Sequence, residues 1–199
     1  MLINMFLINV MNNFSFNIIC TSLGRESLGK LINSFINQLN ENDFFTIISD
    51  NNHEYVESVL LSFDFKCKLT HIKNLNGPEG KYGHPLLNRY MNTLEGDFIM
   101  FADDDDRYTP DAFKVIKETI KDKNKLYVFK HMWGGTVNWV LKDFTLGNVG
   151  KCMGVIPNTH NLPNFREDVQ GDVYFYSDIS KMFESEFIDH IIYKVRDTE

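Results

Sequence analysis

Between residues 16 and 121, short apolar runs alternate with stretches in which apolar residues recur every three or four positions. Such βαβα order restricts the chain to an α/β fold with a mostly parallel sheet flanked by helices, because parallel neighbours are joined only through crossovers. Phe16 to Thr21 (FNIICT) reads as a buried strand, and Leu28, Leu31, Ile32, Phe35, Ile36 and Leu39 follow at helical spacing. Phe44 to Ser49 (FFTIIS) is a second strand that ends at Asp50, EYVESVLLSF from Glu54 a second helix, and Lys68 to Ile72 a third strand. A helix around Leu86 to Leu94, the strand Phe98 to Ala102 and a helix from Pro110 to about Lys121 complete the alternation. Beyond Leu126 the pattern loosens. Leu126 to His131 and Thr136 to Leu141 form a predicted hairpin about Gly134 and Gly135. GNVGKCMGVIPN from Gly147 is a loop with a short strand, GDVYFYSDISKMF from Gly171 a helix, and FIDHIIYKV from Phe187 a final strand.

The fourth strand stops against four consecutive aspartates, Asp103 to Asp106. Their mutual repulsion at a strand end calls for a cation, and hard carboxylate oxygens suit Mg²⁺ or Mn²⁺, which in enzymes usually also hold substrate phosphates. A solvated acidic loop is the plainer alternative, and Thr109 with Pro110 and Asp111 reads as an ordinary helix start. A calcium loop of the EF-hand type fails, since counting from Asp103 puts Tyr108 where the turn glycine belongs and Lys114 where the bidentate Glu belongs. Ligands of parallel sheets bind beyond the carboxyl ends of the strands, so Thr21 to Arg25, Asp50 and the four aspartates are expected to converge on one crevice.

A length of 199 residues with 43% hydrophobic content suffices for one core, which predicts a single domain over 16–199 behind a loose extension, residues 1–15. With 27 acidic residues against 20 basic ones and no Lys/Arg block, nucleic acid is excluded as a partner. Cys20, Cys67 and Cys152 form no CxxC pair and suggest neither a disulfide framework nor a zinc site, so a reducing cytoplasm fits best. The opening MLINMFLINVM is about half the length of a membrane span, so no transmembrane segment is expected. It reads as an early start, with Met5 or Met11 as alternatives, or as a weakly membrane-associating stretch.

Within NRYMNTLEGDFIMFADDDDRYTP, Asn88 is followed eight residues later by Gly96, and seven residues after that by Asp103 behind an apolar strand. In this register, and in the opening IICTSLGRESL and the strand ending at Asp50, the chain resembles a family 2 glycosyltransferase of the GT-A, Rossmann-like fold. GNVGKCMGVIPN followed by GDVYF is similar to the acceptor-side segment of a viral and bacterial branch. The resemblance covers most of residues 16 to 180 and implies a nucleotide-sugar-binding half over 16–125 and a small antiparallel acceptor-side half over 126–199. It departs from the family at Leu87, where an Arg is common, with Arg89 or Arg25 as substitutes for the diphosphate contact.

The resemblance implies a metal-dependent enzyme of hexosyltransferase type. It would move a sugar from a nucleoside-diphosphate donor to a hydroxyl acceptor (glycan, lipid-linked or protein), with inversion. Asp103 and Asp105 become a DXD pair that meets the ribose and the Mn²⁺ or Mg²⁺ ion, with Asp103 also in reach of the metal and Asp104 and Asp106 helping through water or facing solvent. Thr21, Arg25, Asp50 and Asn88 join Asp103 and Asp104 as nucleotide-sugar contacts, with Asp50 accepting from the base. The plainer reading of Asp50 is a turn residue, and of Arg25 a helix start. Asp172 is the expected base for the acceptor hydroxyl, with Asp168 and Glu167 as competitors and a helix cap as the plainer reading. Trp133 and Trp139 read as sugar-stacking faces or as core. His84 and His160 sit in loops that face the crevice or plain solvent, and Gly77, Gly80 and Gly83 mark a flexible loop without P-loop spacing. Two other classes stay open: a sugar-phosphate nucleotidyltransferase, for which SLGRESLGK is a poor match, and a non-catalytic sugar- or cation-binding relative.

Overall fold

A computed structural model describes residues 13–138 and 141–196. Residues 1–12 of the predicted extension and Trp139 lie outside the described residues. The chain order is β1 (Phe16–Ser22), α1 (Leu28–Phe35), β2 (Phe44–Ser49), α2 (His53–Leu61), β3 (Lys68–Lys73), α3 (His84–Tyr90), β4 (Phe98–Asp103) and β5 (Arg107–Tyr108). It continues with α4 (Ala112–Thr119), β6 (Lys125–Trp133), β7 (Thr136–Asn138), β8 (Gly154–Pro157), α5 (Gly171–Met182) and β9 (Glu184–Val195).

The nine strands form one sheet in the order β3-β2-β1-β4-β8-β6-β9-β5, with β7 beside β6. Both faces are covered, and the period-2 geometry of a strand sorts the side chains between them. Phe16, Ile18 and Cys20 of β1, and Phe98, Met100 and Ala102 of β4, pack with Leu31, Phe35 and Phe113 from α1 and α4. Ile19, Ile99 and Phe101 turn the other way, to Leu86, Phe175 and Ile179 from α3 and α5. Burial on two faces explains why these strands read as continuous apolar runs.

β1 pairs in parallel with β2 on one side and β4 on the other, so the chain winds in opposite directions from it. Thr21 aligns with Asp103 across this switch point, and a crevice opens beyond their carboxyl ends. Past β4 the sheet turns antiparallel through β8 and β6, but β9 lies parallel to β6, so the region expected to be antiparallel is mixed. The hairpin is present as β6 and β7, turning at Gly134 and Gly135 with φ of +55° and +79°. β9 begins at Glu184, three residues before the expected Phe187, directly after α5. α4 starts at Ala112, and the Thr109 hydroxyl donates to the Ile191 carbonyl instead of capping the helix.

Candidate active site

The crevice has a volume of about 280 Å³ and is lined by Thr21, Arg25, Asp50, Asp103, Asp104 and Asp105 together with Leu23, Arg196 and the loop from Gly80 to Gly83. The expected convergence of three strand ends is therefore present.

The four aspartates divide by burial. Asp104, 1% exposed, accepts from Ser22 Oγ at 2.7 Å, from the Leu23 amide at 3.0 Å and from Arg25 Nη1 at 2.6 Å, and so fixes the loop after β1. Asp106 is also buried and accepts from the Arg196 amide at 2.8 Å. Burial, with the Asp103 charge adding to it, pushes its pKa up to about 7. Neither faces solvent, which corrects that expectation. Of the three aspartates of this run that line the crevice, Asp103 and Asp105 are the accessible ones, 36% and 29% exposed.

Asp103 Oδ1 accepts from Lys151 Nζ at 2.5 Å. Enclosure pushes the Asp103 pKa up against the pull of the Lys151 ammonium. For Lys151, 6% exposed, burial works to lower the pKa and the Asp103 and Asp172 charges outweigh it, so the ammonium is held. Asp105 lies 3.2 Å from Arg25 Nη1 and 4.0 Å from Arg196 Nε. A hard divalent cation shared with a diphosphate needs only one or two protein carboxylates. Asp105 and the crevice-facing side of Asp103 fit that demand, whereas no three His, Cys, Asp or Glu gather around one point among the described residues.

Asp50 is buried at the crevice wall and ties down the glycine-punctuated loop. Its carboxylate accepts from Asn74 Nδ2 at 2.7 Å, from the Glu79 amide at 3.0 Å and from the Gly80 amide at 3.2 Å. Lys81 and Tyr82 then take positive φ of 48° and 61° where the loop lines the crevice, and Tyr82 is exposed. Gly83 meets Thr21 so closely that a Cβ would stand 2.3 Å from the Thr21 hydroxyl, so this position admits glycine alone. Two ties reach this loop from residues beyond β4: Lys151 Nζ donates to the Tyr82 carbonyl at 3.2 Å, and Lys81 pairs with Glu167.

Asn88 is not among the residues that line the crevice. Its amide is used in both directions on the Phe165 main chain, donating at 2.9 Å and accepting at 2.7 Å, and Asn92 repeats the clamp one turn later on Leu162. Leu87 is buried in the core and Arg89 pairs with Glu79 at 2.7 Å, so of the two substitutes Arg25 is the one in the crevice.

Asp172 stands in the first turn of α5, against the Lys151 main chain, and is not among the residues that line the crevice. Its Oδ2 accepts from the Lys151 amide at 3.0 Å, and Oδ1 lies 3.2 Å from His84 Nε2. Of its competitors, Glu167 is engaged by Lys81 and Asp168 accepts from the Gln170 amide at 2.8 Å. Trp133 is 54% exposed, which removes the core reading, and the Arg196 guanidinium lies 6.0 Å from its ring. His160 is exposed beside the Asn92 carbonyl. Lys151 and Tyr82 carried no expectation, and His84, expected in a loop facing the crevice or solvent, is instead buried at the start of α3. The available signal was a lysine set between Gly150 and the apolar CMGVI run, where a charge has no place without a partner.

A family model described as glycosyl transferase family 2 matches residues 17–174. No curated protein matches significantly. Among solved structures, S. aureus TarS 1–349 in complex with UDP-GlcNAc superposes with a TM-score of 0.71 at 15% identity, over 94% of this chain and 59% of that one. The mannosyltransferase PcManGT from Pyrobaculum calidifontis in complex with GDP-Man and Mn²⁺ gives 0.65 at 10% identity, over 89% and 55%. The inositol-1-phosphate CTP transferase from T. maritima gives 0.59 at 12% identity, over 91% and 88%. The chain thus spans less than two thirds of either glycosyltransferase, and the likeness establishes the GT-A fold.

Proposed function

The chain belongs to glycosyl transferase family 2, and on that premise we propose that it transfers a sugar, with inversion, from a nucleoside-diphosphate donor to a hydroxyl acceptor. The observation that carries this reading is the alignment of Thr21 with Asp103 at the switch point, which sets Arg25, Asp50 and Asp105 around one crevice. Asp50 meets the base edge, Arg25 brings its guanidinium to the diphosphate, and Asp103 receives the ribose. Asp105, with the open side of Asp103, would hold Mn²⁺ or Mg²⁺. When bound, that ion neutralises charge growing on the leaving phosphate. Asp172 removes the proton of the acceptor hydroxyl as its oxygen bonds to the anomeric carbon, and the electron pair of the broken bond leaves with the nucleoside diphosphate. The three free, buried cysteines fit a cytoplasmic setting. No helix among the described residues is long and apolar enough to cross a membrane.

A panel of nucleotide sugars with Mn²⁺ tests the proposal. One donor is expected to raise the melting temperature and to release nucleoside diphosphate when an acceptor is present. Release of pyrophosphate from a nucleoside triphosphate and a sugar phosphate would instead support the nucleotidyltransferase reading, which the T. maritima structure keeps in view.

A further inference from the structure

We propose that His84 is a positioning residue for Asp172, the two forming a pair with a proton held between His84 Nε2 and Asp172 Oδ1. The role rests on the reading of Asp172 as the acceptor-side base; the shared proton rests on geometry alone. Both ring nitrogens of His84 face acceptors. Nδ1 lies 2.8 Å from the Arg166 carbonyl oxygen, which can only accept, so Nδ1 carries a proton. A neutral ring would then turn its Nε2 lone pair on a carboxylate oxygen 3.2 Å away, two acceptors face to face. A second proton between them removes the conflict.

The ring has no other place to go. It is buried, stacked on Phe165 with centroids 4.9 Å apart and 12° between planes. Gly171 packs against it as well: a Cβ there would stand 2.5 Å from His84 Cε1 and 2.3 Å from the Arg166 carbonyl oxygen. Gly171 directly precedes Asp172, so the packing of the His84 ring sets the start of the helix that carries the base. With Oδ1 held by His84 and Oδ2 by the Lys151 amide, the carboxylate is oriented at both oxygens. Each oxygen keeps a second lone pair for an acceptor hydroxyl, and the side chain is 28% exposed.

Of the other charged and titratable groups nearby, Lys151 feels the Asp172 charge but sends its hydrogen bonds elsewhere. The Lys151 ammonium is on Asp103, the Arg166 guanidinium lies 3.5 Å from the Tyr174 ring centroid, and the Tyr82 ring stands 5.8 Å from His84. Burial pushes His131 down to about 4 against the pull of Asp172, so it brings no second cation to the carboxylate.

Nitrogen-15 NMR of the histidine rings reads the pair without any turnover. At neutral pH both His84 nitrogens are expected to carry protons, and Asp172→Asn is expected to strip the one on Nε2. A singly protonated ring in the wild-type protein would overturn the proposal. In transfer assays, His84→Phe keeps the ring stack and loses both donors. Its kcat is expected to fall roughly tenfold to a hundredfold with donor KM unchanged, and His84→Gln, which restores an N–H, to recover part of the loss. An unchanged kcat in His84→Phe would also overturn the role. A doubly protonated ring in a protein that transfers no sugar would leave the pair standing and remove the function proposed above.

Discussion

The two halves of the sheet hold their polar groups in different ways. In β3-β2-β1-β4, the crevice residues sit at the ends of neighbouring parallel strands, and a strand end places them almost unaided: Thr21 and Asp103 are register partners. Beyond β4, the site is assembled by contacts between remote segments, Lys151 with Asp103 across 48 residues and His84 with Asp172 across 88. Parallel winding sets the first arrangement, and Asp104 and Asp50 then fix the loops around it. The second depends on buried charges and rings that lose their purpose once one partner is removed.

This contrast can be broken most sharply at Lys151. Lys151→Met removes an ammonium buried against Asp103 and is expected to cost about 2–3 kcal/mol in urea unfolding. Arg25→Met is expected to cost less, about 1 kcal/mol, because the arginine side chain is 44% exposed and the Ser22 hydroxyl and Leu23 amide still donate to the buried Asp104 carboxylate. Equal losses would erase the distinction between the halves.

Asp106 lies on the seam. Its pKa of about 7 in the folded chain stands above the usual carboxylate value of about 3.9, so the native state holds more protons than the unfolded one between those values. Its contribution to stability is full at low pH and is lost as pH rises through 7. Asp106→Asn is expected to flatten that fall, by at most about 4 kcal/mol between pH 4 and 8. Parallel pH profiles for the two proteins would contradict the burial argument.

Asp105→Ala probes the donor half by activity. Release of nucleoside diphosphate is expected to fall by about 10²–10³, the usual effect of losing one group that stabilises leaving-group charge. Asn88→Ala should leave activity least affected, with about 1–3 kcal/mol of stability lost and turnover retained, because both ends of its amide go to the Phe165 main chain. A selective loss of donor affinity would return Asn88 to the nucleotide site.

Much of this was legible in the sequence where apolar periodicity meets an abrupt polar stop. FNIICT, FFTIIS and FIMFADDDD announce β1, β2 and β4, and their ends announce the crevice. The strand β5 was not legible, since two residues, Arg107 and Tyr108, carry no period. Asn88 stood in the expected register, but register does not say whether an amide turns to a ligand or to the backbone. The burial of Asp104 and Asp106 was equally hidden: four identical neighbours give no hint which pair the Ser22–Arg25 loop and the Arg196 amide will claim. Lys151 and His84 act through partners that only the closed sheet brings near.

The division of labour between the halves is tested most directly by Asp172→Asn, with donor binding followed by calorimetry in the presence of Mn²⁺ and transfer followed by release of nucleoside diphosphate to an acceptor. The expected result is donor affinity within about twofold of wild type and transfer reduced by about 10²–10⁴. Transfer at the wild-type rate would place the acceptor base elsewhere, and parallel loss of donor affinity would show that Asp172 belongs to the donor site.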